Sequence, residues 1–147
     1  MTNEAAPAQL LQQSARAGVH RLPPAAAPEI EAVAGRLGFA VFHVDLEGCT
    51  DKAALLTRIA AVLQFPDWFG HNWDALGDCL ADMGWHPAPG YVVFLNRTER
   101  LPDALAEDFA IALDIFADAA RELARAARPM WIFVEAGMGD PRHAFAP

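Results

Sequence analysis

Residues Phe65–Leu80 read "FPDWFGHNWDALGDCL", which combines aromatic side chains with the start of a helical pattern. Gly70 interrupts the chain, and Asn72 is a residue type favoured at a helix N-cap. After this cap, apolar side chains recur at the spacing of one buried helix face, at Trp73, Leu76 and Leu80. The stretch therefore predicts a loop, with at least one exposed ring, that leads into an amphipathic helix.

Apolar segments on both sides of this stretch predict strands. They lack the alternation of a half-exposed strand, which indicates burial on both faces. These segments are Phe39–Leu46, Tyr91–Asn96 and Met130–Ala136. Helical patterns separate them, at Pro28–Gly38, Thr50–Phe65 and Leu101–Arg128. Buried strands that alternate with helices predict an α/β fold in which helices cover a parallel sheet.

The net charge of −8 is concentrated in the centre of the chain. Residues 65–122 contain eleven acids and three arginines, whereas the acids and bases of the other residues balance. Such a segment repels phosphates, which argues against direct nucleic-acid binding and favours a basic protein partner. An acidic surface that only keeps the protein soluble is the alternative.

Acids with helical spacing form two rows in this segment. Asp74 and Asp78 are four residues apart, and Asp82 extends their row. The second row comprises Asp114, Asp118 and Glu122. Like charges at this spacing destabilise an isolated helix, so the rows favour a binding function. The structural alternatives are a solvated acidic face and an ion pair between Glu122 and Arg125.

The sequence offers little for catalysis or metal binding. Its five histidines have no zinc-site spacing, and the phosphate-loop, dinucleotide and serine-hydrolase motifs do not occur. His71 lies near Asp74 without a nucleophile, and two carboxylates on one helix turn do not flank a cleft as glycosidase acids do. We expect no catalytic residue, no metal and no cofactor, and an enzyme that uses His71, Asp74 and Asp78 is the weakest hypothesis.

Cellular location is indicated by the cysteines and by the N-terminus. Cys49 and Cys79 belong to no paired motif, so free thiols in a reducing compartment are expected. The first residues lack the basic and apolar regions of a secretory signal, and no segment is long enough to cross a membrane. These features predict a cytoplasmic protein without a membrane partner.

The stretch Phe65–Leu80 resembles the signature of the barstar family, the intracellular inhibitors of secreted bacterial ribonucleases. That signature is an aromatic pair, Gly, one residue, Asn, one residue, Asp-Ala-Leu, one residue and Asp-Cys-Leu. It is met here by Trp68, Phe69, Gly70, Asn72, Asp74, Ala75, Leu76, Asp78, Cys79 and Leu80. A looser similarity covers a barstar-like domain at 39–136. Residues 1–38 are expected as a partly ordered N-terminal extension and residues 137–147 as a flexible tail.

The resemblance implies both a fold and a function. The fold is a small three-stranded parallel sheet flanked by helices, to which the extension can add a short helix and an edge strand, the latter in "GVHRLPP" (18–24). The function is inhibition of a basic protein, a small secreted ribonuclease, whose active site is blocked by an acidic helix and its preceding aromatic loop. The implied partner-binding residues are Trp68, Gly70, Asn72, Asp74, Gly77, Asp78, Asp118 and Glu122.

Within this site, Asp78 is implied as the main anchor, which replaces a substrate phosphate, and Asp74 as the second. Two positions depart from the family, since Gly77 stands for a tryptophan and Trp73 for a leucine. Gly inside a helix costs about 1 kcal/mol relative to Ala. Close backbone approach, a different partner surface and a lost contact each explain Gly77. The alternative function is a barstar-fold interaction or immunity module with a basic partner that is not a ribonuclease.

Overall fold

The computed structural model describes residues 9–135, which build a sheet of four parallel strands. The strands are β1 (Gly18–Leu22), β2 (Ala40–Asp45), β3 (Tyr91–Asn96) and β4 (Met130–Glu135). Their order across the sheet is β1-β4-β3-β2. The predicted parallel α/β architecture is confirmed. The sheet has four strands where the resemblance implied three, because the edge strand expected from the N-terminal extension forms as β1 and pairs with β4 along its whole length.

Four helices within residues 27–125 flank this sheet. They are α1 (Ala27–Leu37), α2 (Lys52–Leu63), α3 (Trp73–Asp82) and α4 (Ala106–Arg125). The helix predicted from Leu101 begins five residues later, because Pro102 has an extended backbone and a 3₁₀ turn precedes α4. Gly38 ends α1 in the left-handed conformation, with φ 77°, which a residue without Cβ adopts readily.

The central strands contribute to a hydrophobic core on each side of the sheet, since alternate side chains point to opposite faces. On β3, Tyr91, Val93 and Leu95 join the larger core, which α2, α3 and α4 cover. Val92 and Phe94 join the smaller core beneath α1. The protein therefore has three layers, and α3, which carries most of the predicted partner-binding residues, lies in the layer opposite α1.

Strand β2 contradicts the expectation of burial on both faces. It lies at an edge of the sheet, where His43 is exposed although its neighbours Phe42 and Val44 are buried. The His43 ring stacks on Phe94, with 4.8 Å between centroids, and its Nε2 lies 3.2 Å from a carboxylate oxygen of Glu31. The apolar composition misled the prediction because α1 shields this face of the edge strand only in part.

The remaining expectations concern the chain ends. Residues 1–8 and the tail predicted at 137–147 lie outside the described residues, as does the last residue predicted for β4. Among the residues that are described, every helix is too short or too polar to span a lipid bilayer.

Candidate functional site

The loop before α3 is held by packed aromatic rings. The centroid of the Phe65 ring lies 5.0 Å from that of Phe69 and 5.7 Å from that of Trp85, and both contacts are edge-to-face. The indole Nε1 of Trp85 donates a hydrogen bond of 3.3 Å to the carbonyl of Leu63, at the end of α2. Such aromatic pairs restrict one another's orientation. The loop is therefore fixed from beneath by residues on both sides of α3.

Trp68 is the ring that this loop presents to solvent. Its side chain is 61% exposed, whereas its neighbour Phe69 is only 6% exposed. The Trp68 ring contacts that of Trp85 in a T-shaped arrangement, with 6.4 Å between centroids and an interplanar angle of 87°. The predicted exposure of a loop ring is confirmed, and the contact of Trp68 with a partner stays a prediction. A supported indole offers a large contact area at low entropic cost.

The turn into α3 depends on Gly70 and Asn72. A Cβ at Gly70 would lie 3.3 Å from Nδ2 of Asn72, which is tighter than ordinary contact. Oδ1 of Asn72 accepts a hydrogen bond of 2.7 Å from the amide of Ala75, so Asn72 is the predicted N-cap. Between them, His71 adopts a left-handed backbone with φ 55° and packs its ring against Phe69. Because Gly70 has no Cβ, the side-chain amide of Asn72 has the room it needs to cap α3.

Helix α3 separates an apolar face from an acidic one. Leu76, Cys79 and Leu80 are fully buried in the larger core. Asp74 and Asp78 are exposed on the other side, and Asp74 lies in the first turn, where the helix dipole favours negative charge. Within residues 9–135, neither carboxylate has an ion-pair partner. Both are therefore available to cations from another molecule.

Cys79 lies directly beneath this acidic row. Burial raises the pKa of its thiol to about 11, and the negative charges of Asp78 and Asp82 act in the same direction. The thiolate is the reactive form of cysteine, so this side chain is inert near neutral pH. Cys49 and Cys79 are both buried free thiols, as predicted.

Helix α4 packs beside α3 and brings two acids of the second row, Asp118 and Glu122, to the same surface. Each acid that faces α3 has an arginine one turn further along α4. Asp118 pairs with Arg121, and Oε2 of Glu122 lies 2.8 Å from Nη1 of Arg125. Asp114 is exposed but does not line the space between the helices. The α4 acids are thus partly compensated within the protein, in contrast to those of α3.

An open groove of about 670 Å³ runs between the two helices. Gly77 lies on its α3 side, where a Cβ would be 3.6 Å from Cγ2 of Ile115 on α4. That distance is ordinary van der Waals contact, so close backbone approach does not explain this glycine. The groove is lined by Trp73, Asp74, Gly77, Asp78, Ala81, Ile115, Asp118, Ala119, Arg121, Glu122 and Arg125.

The enzyme hypothesis gains no support from this geometry. Among residues 9–135, no hydrogen bond or ion pair joins His71 to Asp74 or Asp78. The described part of the chain also holds no group of three or more His, Cys, Asp or Glu side chains placed to bind a metal ion.

Sequence reasoning missed three residues of this region. Trp85 supports the loop, Arg121 compensates Asp118, and Nζ of Lys52 lies 5.0 Å from the centre of the Trp73 ring. The three-residue spacing between Asp118 and Arg121 was a usable signal. No sequence signal identified Trp85 or Lys52, because their contacts depend on how α2 and α3 pack.

Comparison with known proteins identifies the family of the chain. A family model described as Barstar (barnase inhibitor) matches residues 39–135, which include α2, the aromatic loop, α3 and α4. No curated protein matches the chain. The matched range begins after α1, so β1 and α1 lie outside it.

Proposed function

Since the chain belongs to the barstar family, we propose that it binds a basic, extracellular-type ribonuclease and blocks the active site of that enzyme. The family consists of inhibitors of barnase-type ribonucleases and not of enzymes. The proposed binding elements are α3 and the aromatic loop before it, together with α4 on the other side of the groove. The partner is a protein, and neither nucleic acid nor a membrane is a direct ligand.

One observation carries this proposal: two carboxylates without an internal cation lie on the helix that follows a loop with an exposed indole. Asp74 and Asp78 have no ion pair within the described chain, and Trp68 is 61% exposed. The active site of a ribonuclease holds phosphate with Arg and Lys side chains. Carboxylate oxygens can take the place of phosphate oxygens there and accept charge-assisted hydrogen bonds.

Each residue of the site has a proposed role. Asp78 is the main anchor among the cationic groups of the nuclease, and Asp74 is the second. Trp68 packs its ring on the enzyme surface, while Gly70 and Asn72 fix the loop that carries it. On α4, Asp118 and Glu122 face the partner. Their ion pairs with Arg121 and Arg125 either persist in the complex or are replaced by ion pairs with the partner.

The binding energy depends on complete pairing of the buried charges. Removing a charge from water is expensive, and the attraction to a cation offsets this cost only if each charge is hydrogen-bonded in the complex. Loss of one partner from such a pair costs about 3–5 kcal/mol, which is about a hundredfold or more in affinity. Asp78 is therefore the most informative position.

The proposed location is the cytoplasm, where an inhibitor protects the cell against its own nuclease or an incoming toxin. Both cysteines are free thiols, which suits a reducing compartment. The acidic segment would repel phosphates, which agrees with a protein partner.

A second candidate is an interaction or immunity module that binds a basic partner other than a ribonuclease. Gly77 favours it, because the open groove beside this glycine changes the surface offered to a partner. Both candidates use the same acidic helix and differ in the identity of the bound protein.

The deciding experiment is a titration of the purified protein against a panel of small basic microbial ribonucleases, with RNA cleavage as the readout. Stoichiometric inhibition by the wild type is expected, and Asp78→Ala should weaken it by about a hundredfold or more. Asp114→Ala is the matched control, because it removes the same charge from an exposed acid outside the groove. It should inhibit like the wild type.

Circular dichroism of both variants excludes unfolding as the cause of any loss. Inhibition that survives in Asp78→Ala would contradict the proposed anchor. If no nuclease of the panel is inhibited, the ribonuclease proposal fails and the second candidate takes its place. Capture of a basic non-nuclease by the wild type, but not by Asp78→Ala, would then identify the partner.

A further inference from the structure

Gly77 lies inside α3 at a position where the fold does not require glycine. Its backbone is not in the left-handed region, and a Cβ would make only an ordinary contact of 3.6 Å with Ile115. Gly90 shows the contrast, since a Cβ there would lie 2.8 Å from the Phe39 ring. Alanine would therefore fit at position 77 and would favour the helix. Gly77 therefore leaves free a space that a side chain could occupy.

That space is the groove between α3 and α4. Gly77 lines it, so a side chain longer than that of alanine at this position would project into it. The groove measures about 670 Å³, which leaves room for a side chain from another molecule. The absence of a side chain at position 77 thus keeps a receptor site open at the centre of the proposed binding surface.

The lining of the groove indicates the chemistry of its occupant. Trp73, Ile115 and Ala119 provide apolar wall, which suits an alkyl chain. Asp74 and Asp78 lie on the α3 side without an internal cation, whereas the acids of α4 pair with Arg121 and Arg125. A long side chain with an alkyl stem and a cationic end matches both features, and its charge is drawn towards α3.

We propose that the groove at Gly77 receives one arginine or lysine side chain of the protein partner, and that Gly77 determines which partners fit. This inference deepens the proposed function and rests on α3 as the binding surface, but it does not require the partner to be a ribonuclease. A partner without a projecting cation at this point gains nothing from the groove. A variant that fills the groove excludes the partner's side chain.

The test uses N-acetylarginine amide as the probe and amide chemical shifts of the full-length protein as the readout. With wild type, saturable shifts centred on Gly77, Trp73 and Ile115 are expected, and N-acetylglutamine amide should not produce them. Gly77→Trp and Gly77→Gln fill the groove and should weaken binding by about tenfold or more. Gly35→Gln is the matched control, because it makes the same substitution at an exposed glycine of α1, where an added Cβ meets nothing within 4 Å, and it should bind within about twofold of wild type.

Gly77→Gln keeps the test decisive if Gly77→Trp does not fold, because glutamine favours helix formation. Shifts that persist in both filled variants, or that spread over all exposed acids, would overturn the inference, and so would a wild type that shows no saturable shift. The same variants are then assayed against any nuclease that the wild type inhibits. Probe binding without inhibition of any nuclease would leave the groove assignment intact and reject only the proposed ribonuclease target.

Discussion

Asn72 and Asp51 perform the same task at the starts of two different helices. Oδ1 of Asn72 accepts a hydrogen bond of 2.7 Å from Ala75, and Oδ1 of Asp51 accepts one of 2.8 Å from Ala54. Each satisfies an amide that the helix itself leaves unpaired. Of these two helices, only the one capped by Asn72 carries the proposed acidic site. Variants of the two caps therefore distinguish a loss of stability from a displacement of the proposed binding loop.

We predict that Asn72→Ala and Asp51→Ala each lower the free energy of unfolding by about 1 kcal/mol, the typical cost of losing an N-cap. Urea denaturation monitored by circular dichroism measures this change. Asn72→Ala should also weaken nuclease inhibition, because the loop geometry before α3 depends on this side chain. Equal inhibition by the two variants would show that the Asn72 side chain contributes stability alone.

The buried thiol of Cys79 makes stability depend on alkaline pH. Its folded-state pKa of about 11 lies above the ordinary value of 9.0, so the unfolded chain loses this proton first. The stabilisation is therefore fully present below pH 9 and is lost as the pH rises towards about 11.

We predict that the free energy of unfolding of the wild type falls more steeply over this pH interval than that of Cys79→Ala. The excess slope should approach about 1.4 kcal/mol per pH unit, the limit for one proton. Urea denaturation at a series of alkaline pH values, with both proteins in the same buffers, measures the difference. Parallel curves would mean that the Cys79 thiol ionises equally readily in both states.

At the scale of the element, α1 lies outside the residues matched by the family model but covers one face of the sheet. Ile30 of this helix is fully buried against the sheet face that Trp131 and Phe133 present. These aromatic side chains belong to β4, whose other face lies in the core of the matched part. Without α1 this apolar face would meet water, so β1 and α1 are integral to the stability of the described structure.

We predict that Ile30→Ala lowers the free energy of unfolding by about 2–4 kcal/mol, because it leaves a cavity beneath α1. Ala32→Gln is the matched control, since Ala32 is exposed on the same helix and its replacement should change stability by no more than about 0.5 kcal/mol. Chemical denaturation measures both. An Ile30→Ala change as small as the control would show that α1 is only loosely attached.

At the scale of the whole molecule, charge is distributed unevenly over three layers. The net charge of −8 resides in residues 65–122, which include α3 and most of α4. These helices lie side by side on one face of the sheet, so their acids produce a negative potential on that face. Such a field attracts a basic partner before contact and is screened by salt.

We predict that the association rate with an inhibited basic nuclease falls by roughly tenfold when NaCl is raised from about 0.05 to about 0.5 M. Stopped-flow Trp fluorescence measures this rate, and Trp68 lies close enough to the proposed contact to report it. The dissociation rate should change less, because short-range pairs in the complex are poorly screened. A salt-insensitive association rate would contradict attraction by the acidic face.

Much of this protein follows from local pattern. Apolar runs identified β3 and β4, Asn72 was recognisable as the cap of α3, and the spacing of Asp74 and Asp78 placed both carboxylates on one helix face. These features were predictable because they depend on residues within one or two turns of each other. The motif around Asp78 also indicated the family, which the match to residues 39–135 shows.

Other features were decided only by tertiary packing. The exposure of His43 follows from the edge position of β2, and the support of Trp68 follows from Trp85 beyond α3. The groove at Gly77 exists because α4 packs beside α3. Among the acids that line it, Asp118 and Glu122 pair with arginines of α4, whereas Asp74 and Asp78 of α3 have no ion pair. The sequence by itself determined the elements, their caps and the acidic rows, because these are short-range properties of the chain. The tertiary structure decided which faces meet, because contacts between distant segments depend on how all the elements pack together.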